Sequence, residues 1–142
     1  KSGSHNLVVG PGHTYSSYGA YLGGTDNASI GTYASALGGT RHEVSGDYAV
    51  VVTGNGHIAS GNYAALLTGV GSDATGAYAA GVTGVYHSVG GTYTAVVSGY
   101  SMTTDGHYSA AVGGAHGIAG HGSSVVLGGY GAETSGSYDI LP

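Results

Sequence analysis

The chain has 142 residues, a formal net charge of −5 and only two basic residues, Lys1 and Arg41. This charge leaves no basic surface for nucleic acid or for anionic lipid, so we expect neither partner. No apolar run approaches the roughly 20 residues of a membrane-spanning helix, so we expect no membrane insertion by this segment.

Glycine makes up 31 of the 142 residues, a content that is often typical of disorder. Disordered chains are usually rich in charge and poor in β-branched and aromatic residues. Here only 6% of the residues are charged, and 13 are tyrosine. The composition therefore favours an ordered chain.

Residues 1–15 differ from everything that follows. Asn6-Leu-Val-Val-Gly10 is typical of a strand, and Pro11 and Gly12 end it. The first coil of a repeat fold leaves an open strand edge that needs a cap. We therefore predict that residues 1–15 form an N-terminal cap or a junction.

Residues 16–135 repeat one pattern eight times with a period of 15, and residues 136–142 begin a further coil or form a C-terminal junction. With Gly46 taken as repeat position 1, position 9 is always glycine and position 3 is tyrosine in seven of the eight repeats. The position-9 glycines are Gly24, Gly39, Gly54, Gly69, Gly84, Gly99, Gly114 and Gly129, and the position-3 tyrosines are Tyr18, Tyr33, Tyr48, Tyr63, Tyr78, Tyr93 and Tyr108.

A period of 15 is too short for helix-pair repeats and suits one coil of a parallel β-solenoid. Positions 3–8, such as Tyr48–Thr53, predict the main strand because they are rich in β-branched and aromatic residues. Positions 12–14 predict a second, weaker strand, and glycine at position 9 suits a corner with positive φ. The sequence therefore predicts an all-β solenoid of about nine coils, whose eight full coils make a rod roughly 40 Å long.

The main strand is apolar on both faces. We expect positions 5 and 7 to point into the coil, which leaves positions 4 and 6 to meet other copies of the chain. An apolar stripe along the whole rod would be a large exposed patch on a monomer, so the chain should be an obligate homo-oligomer. The predicted interface residues are Ala49, Val51, Ala64, Leu66, Val96 and Val126.

The run Gly-x-Tyr-Ala-x-Val-x-x-Gly, with coils closed by Ala59-Ser-Gly61 and Ala74-Thr-Gly76, resembles the YadA-like heads of trimeric autotransporter adhesins. It is also similar to repeats in trimeric fibres of bacterial surfaces and phage tails. The resemblance covers Ser16 to about Tyr138, although position 3 is commonly polar in those heads. It implies a left-handed β-roll, a homotrimer around one axis, and a role in adhesion or receptor binding.

Candidate recognition residues lie where the repeat varies, at positions 10–12. Loops that vary on a constant scaffold are common places for recognition, and aromatic rings beside imidazoles suit a carbohydrate or a protein epitope. The candidates are Tyr86, His87, Tyr100, Met102, His116 and Tyr130. The tyrosine ladder could also bind sugars, but its regularity favours a structural role, because a binding site seldom needs the same residue in every coil.

Other site classes find little support. His42, His57 and His87 share position 12, but no carboxylate recurs beside them and the chain has no cysteine, so we predict no metal site and no cofactor. The acidic residues are scattered, and Glu43 and Asp73, which share position 13, lie two coils apart. We therefore predict that the chain is not an enzyme.

The sequence thus predicts an extracellular adhesin or fibre segment, on a cell surface or a virion, that attaches to a host glycan or protein receptor. Two alternatives stay open. The chain could be a passive spacer, or it could bind ice through stacked hydroxyls at position 8. The members of that row are Thr53, Thr68, Thr83 and Ser98.

Overall fold

The computed structural model describes residues 2–142, and Lys1, the first residue of the predicted cap, lies outside them. These residues form a parallel β-solenoid of about nine coils, which confirms the predicted all-β repeat fold. Residues 2–142 contain no helix, and so none that could cross a membrane.

The strands of residues 2–142 are short, and most have two residues. In chain order they are β1 (Leu7–Val9), β2 (Thr14–Tyr15), β3 (Tyr21–Gly23), β4 (Ala28–Ser29), β5 (Ser35–Ala36), β6 (Glu43–Val44), β7 (Val50–Val51), β8 (Ile58–Ala59), β9 (Ala65–Leu66), β10 (Asp73–Ala74), β11 (Ala80–Gly81), β12 (Ser88–Val89), β13 (Ala95–Val96), β14 (Thr103–Thr104), β15 (Ala110–Ala111), β16 (Val125–Val126) and β17 (Ile140–Leu141).

Two parallel sheets enclose the interior. The first sheet has ten strands in the order β1-β3-β5-β7-β9-β11-β13-β15-β16-β17, and the second has seven in the order β2-β4-β6-β8-β10-β12-β14. From β4 onward, partners in the second sheet lie 15 residues apart, as in the pairing of Asp73 with Ser88. Each coil therefore stacks on the next with the same side chains in line.

The main strand is shorter than predicted, because it covers positions 5 and 6 rather than 3–8. Three residues of a typical coil have left-handed backbone conformations, at positions 3, 9 and 11. In one coil these are Tyr63 (φ 59°), Gly69 (φ 119°) and Gly71 (φ 61°). A left-handed residue turns the chain and cannot continue a strand, so each coil contains three bends and two short straight segments.

Glycine serves two purposes in the coil. At position 9, Gly69 has a positive φ, and a Cβ atom there would collide with the carbonyl oxygen of Gly84 in the next coil. At position 1, Gly61 has no positive φ, but its Cβ atom would collide with the carbonyl oxygen of Gly76. The recurring glycines therefore let successive backbones approach closely, and the predicted corner at position 9 is confirmed.

The two faces of the main strand are the reverse of those predicted. Positions 4 and 6 point into the coil and positions 5 and 7 point outward. The predicted interface residues form part of the core, each 0–1% exposed: Ala49, Val51, Ala64, Leu66, Val96 and Val126. They pack against second-sheet residues such as Val44 and Ala59. Since a single chain already covers these side chains, they cannot contact another copy.

The N-terminal residues form a coil of their own with a shorter period. β1 pairs with β3 and β2 pairs with β4 at an offset of 14 residues. The 14-residue offset persists to the pairing of Leu22 with Ala36. Gly19, rather than Tyr18, therefore takes the left-handed place that tyrosine occupies in later coils.

Candidate functional site

Residues 2–142 of the single chain form no enclosed pocket. The described residues also contain no group of three or more His, Asp or Glu side chains arranged around a common point. The chemistry of the molecule lies in side chains that recur along the solenoid axis. Three such rows stand out, two on the surface and one in the interior.

The first row is an aromatic strip formed by Tyr86, Tyr100, His116 and Tyr130. Neighbouring rings meet edge to face, with centroids 6.1 Å apart for Tyr86 and Tyr100, and 5.4 Å apart for the other two contacts. All four side chains are exposed, and Tyr130 reaches 83%. Four of the six predicted recognition residues are thus brought together on one edge.

The local backbone explains how the strip forms. Tyr100 and Tyr130 occupy position 10, where single bridges to Val85 and Ala115 hold the chain. Tyr86 (φ 57°) and His116 occupy position 11, which is left-handed. Glycine occupies position 11 in three other coils at lower conformational cost, and the remaining coils have the same left-handed backbone at Asp26, Arg41 and Ser101.

The other two predicted recognition residues, His87 and Met102, are not available to a ligand. His87 is 2% exposed and Met102 is fully buried. Position 12 points into the solenoid, so both side chains belong to the interior. Their prediction as ligand-binding residues is wrong for that reason.

The second row is an interior ladder made by the position-12 side chains from His13 to Met102. Each of these side chains accepts a hydrogen bond from the backbone N–H of the position-12 residue in the next coil. The donor-to-acceptor distances are Asn27 N to His13 Nδ1 3.2 Å, His42 N to Asn27 Oδ1 2.9 Å, His57 N to His42 Nδ1 3.1 Å, Ser72 N to His57 Nδ1 3.1 Å, His87 N to Ser72 Oγ 3.2 Å, Met102 N to His87 Nδ1 3.2 Å and Gly117 N to Met102 Sδ 3.4 Å.

The imidazoles of His42, His57 and His87 are buried in the ladder. His42 and His57 stack with centroids 5.2 Å apart, and the Nε2 atoms of both lack a hydrogen-bond partner. Burial, and then the neighbouring His57, lower the pKa of His42 to about 4. Burial also lowers the pKa values of His57 and His87. We infer that these groups are structural, because a neutral imidazole fits both the burial and the accepted hydrogen bond.

The third row is the tyrosine ladder. Six rings from Tyr33 to Tyr108 stack with centroids 4.7–5.3 Å apart, and from Tyr48 onward the interplanar angles are 2–8°. Tyr18 meets Tyr33 edge-on at 88°, so it does not belong to the parallel stack. The rings stand on left-handed residues, and stacking offsets that local cost. The geometry is that expected of the predicted structural ladder.

The remaining candidates are dispersed. Glu43 and Asp73 lie on the outer side of the second sheet, where partial burial raises the pKa of Asp73. Thr53, Thr68 and Thr83 are exposed in a single file, and the Ser98 hydroxyl donates to the carbonyl of Val112. Ice binding through this one row remains a prediction.

Sequence reasoning missed an apolar surface on the outside of the first sheet. We define the outer apolar face by the position-7 residues Leu37, Val52, Leu67, Val82, Val97, Val112 and Leu127, which are 36–50% exposed, and by the half-buried position-5 residues Val50, Ala65, Ala80, Ala95, Ala110 and Val125. The signal was present, because position 4 carries only small residues, as a thin interior requires, while position 7 carries only Leu and Val.

Comparison with models of known protein families gives no match, and comparison with curated proteins gives no relative by sequence. The function is therefore inferred from the surface features themselves.

Proposed function

We propose that the chain is a segment of an extracellular homotrimeric fibre, at a bacterial surface or on a virion, that presents a surface for attachment. The outer apolar face carries this proposal. Continuous apolar rows on both sides of one strand are typical of a sheet covered on both faces. The core covers one face, and other copies of the chain would cover the second.

The outer face of the second sheet provides the contrast. Its position-13 side chains include Glu43, Asp73, Ser88 and Glu133, and they form a mixed, largely polar surface. Only one of the two sheets therefore has a face that monomers seldom leave in water. This asymmetry favours a closed assembly with the first sheets inside and the second sheets outside. The resemblance to YadA-like heads favours an assembly of three chains and a left-handed coil.

Attachment is assigned to the aromatic strip. Tyr86, Tyr100 and Tyr130 present ring edges and faces to water beside the imidazole of His116, and exposed aromatic rings with nearby hydrogen-bonding groups suit sugar rings or a protein epitope. The strip does not overlap the outer apolar face in sequence position, so both could serve in the same assembly.

Lysines on the outer apolar face should break the assembly. We expect Leu67→Lys with Val82→Lys to convert the trimer to smaller species, because two charges would be buried without partners. The control places Ser88→Lys and Thr103→Lys in two adjacent coils of the second sheet and should remain trimeric. Light scattering at equal chain concentration measures both. Equal masses for the two double variants would show that the outer apolar face is not the interface.

Removing the aromatic strip should weaken attachment. A single aromatic contact contributes about 1 kcal/mol, so the triple change Tyr86→Ala, Tyr100→Ala and Tyr130→Ala should weaken binding at least about tenfold. Tyr138→Ala removes an exposed tyrosine outside the strip and should leave binding unchanged. A glycan array and a cell-binding assay make the measurement. A folded protein that binds neither glycans nor cells would instead be a passive spacer.

A further inference from the structure

The interior ladder links eight coils through one type of contact. From His13 to Gly117, each coil is joined to the next by a hydrogen bond from a backbone N–H to a side chain at repeat position 12. Four of the seven acceptors are imidazole Nδ1 atoms. An Nδ1 atom can accept only while it carries no proton, so these four contacts require a neutral ring.

A ring protonated at Nδ1 cannot accept this hydrogen bond. A proton on Nδ1 would point at the backbone N–H that now donates to it, so two donors would face each other at 3.1–3.2 Å. At the other end of the ring, Nε2 of His87 already lies 3.0 Å from the carbonyl oxygen of Thr83. Nε2 of His57 lies against Gly54, where a Cβ atom would come within 2.5 Å of it. The Nε2 ends of both rings therefore already lie close to the backbone of the same coil.

We propose that the position-12 ladder is an acid-sensitive lock: the neutral imidazoles of His42, His57 and His87 hold the coils between His42 and Met102 together, and protonation of these three rings opens this part of the solenoid. The lock lies inside one chain, so it goes beyond the proposed trimer and adhesin function and does not depend on either.

The surroundings of the ladder contain little charge that could stabilise an imidazolium. The first-sheet residues of the core are apolar, and those of the second sheet at position 14 are Ala, Val, Ser or Thr. The titratable neighbours inside are the other histidines of the ladder, which repel a second positive charge. On the outside, Asp73 favours a charged His57 only weakly, while the exposed Glu43 and Arg41 flank His42.

The direction of the pH effect follows from the lowered pKa values. The unfolded chain takes up protons near the ordinary histidine pKa of 6.5, whereas folded His42 does so only near 4. The stability that the neutral ladder provides is therefore complete above pH 6.5 and is lost as the pH falls from 6.5 towards 4. Asp73, whose pKa is raised, has the opposite effect, since its protonation in acid relieves the cost of burying a carboxylate.

One coil of the ladder already has a side chain at position 12 that does not titrate. Asn27 occupies position 12 and makes the ladder contact without an imidazole: its Oδ1 accepts from the His42 N–H at 2.9 Å, while its Nδ2 donates to the Gly23 carbonyl at 2.6 Å. The triple variant His42→Asn, His57→Asn and His87→Asn should keep the accepted hydrogen bond without titrating. Its urea midpoint, measured by circular dichroism from pH 7.5 to 4, should stay nearly constant while that of the wild type falls.

The control changes an exposed histidine with the same kind of contact. The His107 Nδ1 accepts from the Thr92 N–H at 3.1 Å, and Asn62 makes the equivalent contact to Asp47. His107→Asn should therefore retain the acid sensitivity of the wild type. A wild-type midpoint that does not change with pH, or a triple variant that loses stability in acid as the wild type does, would overturn the lock.

A direct titration covers the case in which the triple variant does not fold. Nitrogen-15 chemical shifts of the wild-type imidazoles should show neutral rings with unprotonated Nδ1 at pH 6, and protonation of His42 near pH 4 should coincide with loss of the folded signals. Rings that protonate near 6.5 while the fold persists would contradict the proposal.

Discussion

The Gly69→Ala variant is expected to lose about 3 kcal/mol or more of its free energy of unfolding. Gly69 has a φ of 119°, and an added Cβ atom would collide with the carbonyl oxygen of Gly84. The next coil cannot move away from this contact without breaking its pairing with the coils on both sides. The measurement is urea unfolding followed by circular dichroism at equal chain concentration.

Gly56→Ala is the matched control. Gly56 is also left-handed, with a φ of 67°, but a Cβ atom there would meet nothing within 4 Å. The alanine would therefore carry only the cost of a left-handed backbone, about 1 kcal/mol. The same repeat position holds Tyr86 and Ser101 in other coils, so a side chain is tolerated there. Equal losses for Gly69→Ala and Gly56→Ala would mean that contact between coils does not require glycine at position 9.

The Leu66→Ala variant is expected to lose about 2–5 kcal/mol of stability. Leu66 is 1% exposed and belongs to the core cluster, and its neighbours in line are Val51 and Gly81. Because Gly81 has no side chain, Leu66 also fills the space beside it: a Cβ atom on Gly81 would lie 2.6 Å from a methyl group of Leu66. Removing the isopropyl group of Leu66 therefore leaves a cavity across two coils.

Leu67→Ala makes the same chemical change one residue later. Leu67 is 40% exposed on the outer apolar face, so within one chain its truncation should cost less than about 1 kcal/mol. Its main effect should be weaker association between chains. If thermal melts ranked the two leucines in the opposite order, the assignment of positions 6 and 7 to the inside and outside of the coil would be wrong.

The repeat made the fold predictable, because 15 residues per coil leave room for little except two short strands and their turns. The strand lengths were not predictable in the same way. Tyr48 is typical of a strand by composition, yet it has a φ of 58° and ends the turn before β7. Propensity describes a residue in isolation, whereas the stacking of Tyr48 between Tyr33 and Tyr63 depends on coils already in register.

The two faces of the strand could not be distinguished by polarity, because both are apolar. Side-chain size, rather than polarity, distinguishes the two faces. Position 4 holds Ala49 and Ala64, which suit an interior only one coil wide, while the Leu and Val side chains of position 7 need space outside. Because side chains alternate along a strand, position 6 faces the same way as position 4. The side-chain volumes at positions 4 and 7 would therefore have placed Leu66 inside and Leu67 outside.

The candidate site was predictable for the residues that point outward. Tyr86, Tyr100, His116 and Tyr130 interrupt the regular pattern and lie together on one edge. His87 lies next to Tyr86 in sequence, but histidine is seldom expected in a core, so the ladder that buries it was not anticipated. Its partner, the backbone N–H of Met102, is 15 residues away and becomes visible only once the coils are stacked.

Sedimentation equilibrium of the wild-type chain at neutral pH tests the central claim most directly. The proposed fibre segment predicts a single folded species with three times the 13.7 kDa mass of the chain, stable on dilution. The outer apolar face would then be covered by neighbouring copies. A folded species of 13.7 kDa that persists at all concentrations would contradict the account, because that face would then be exposed to water.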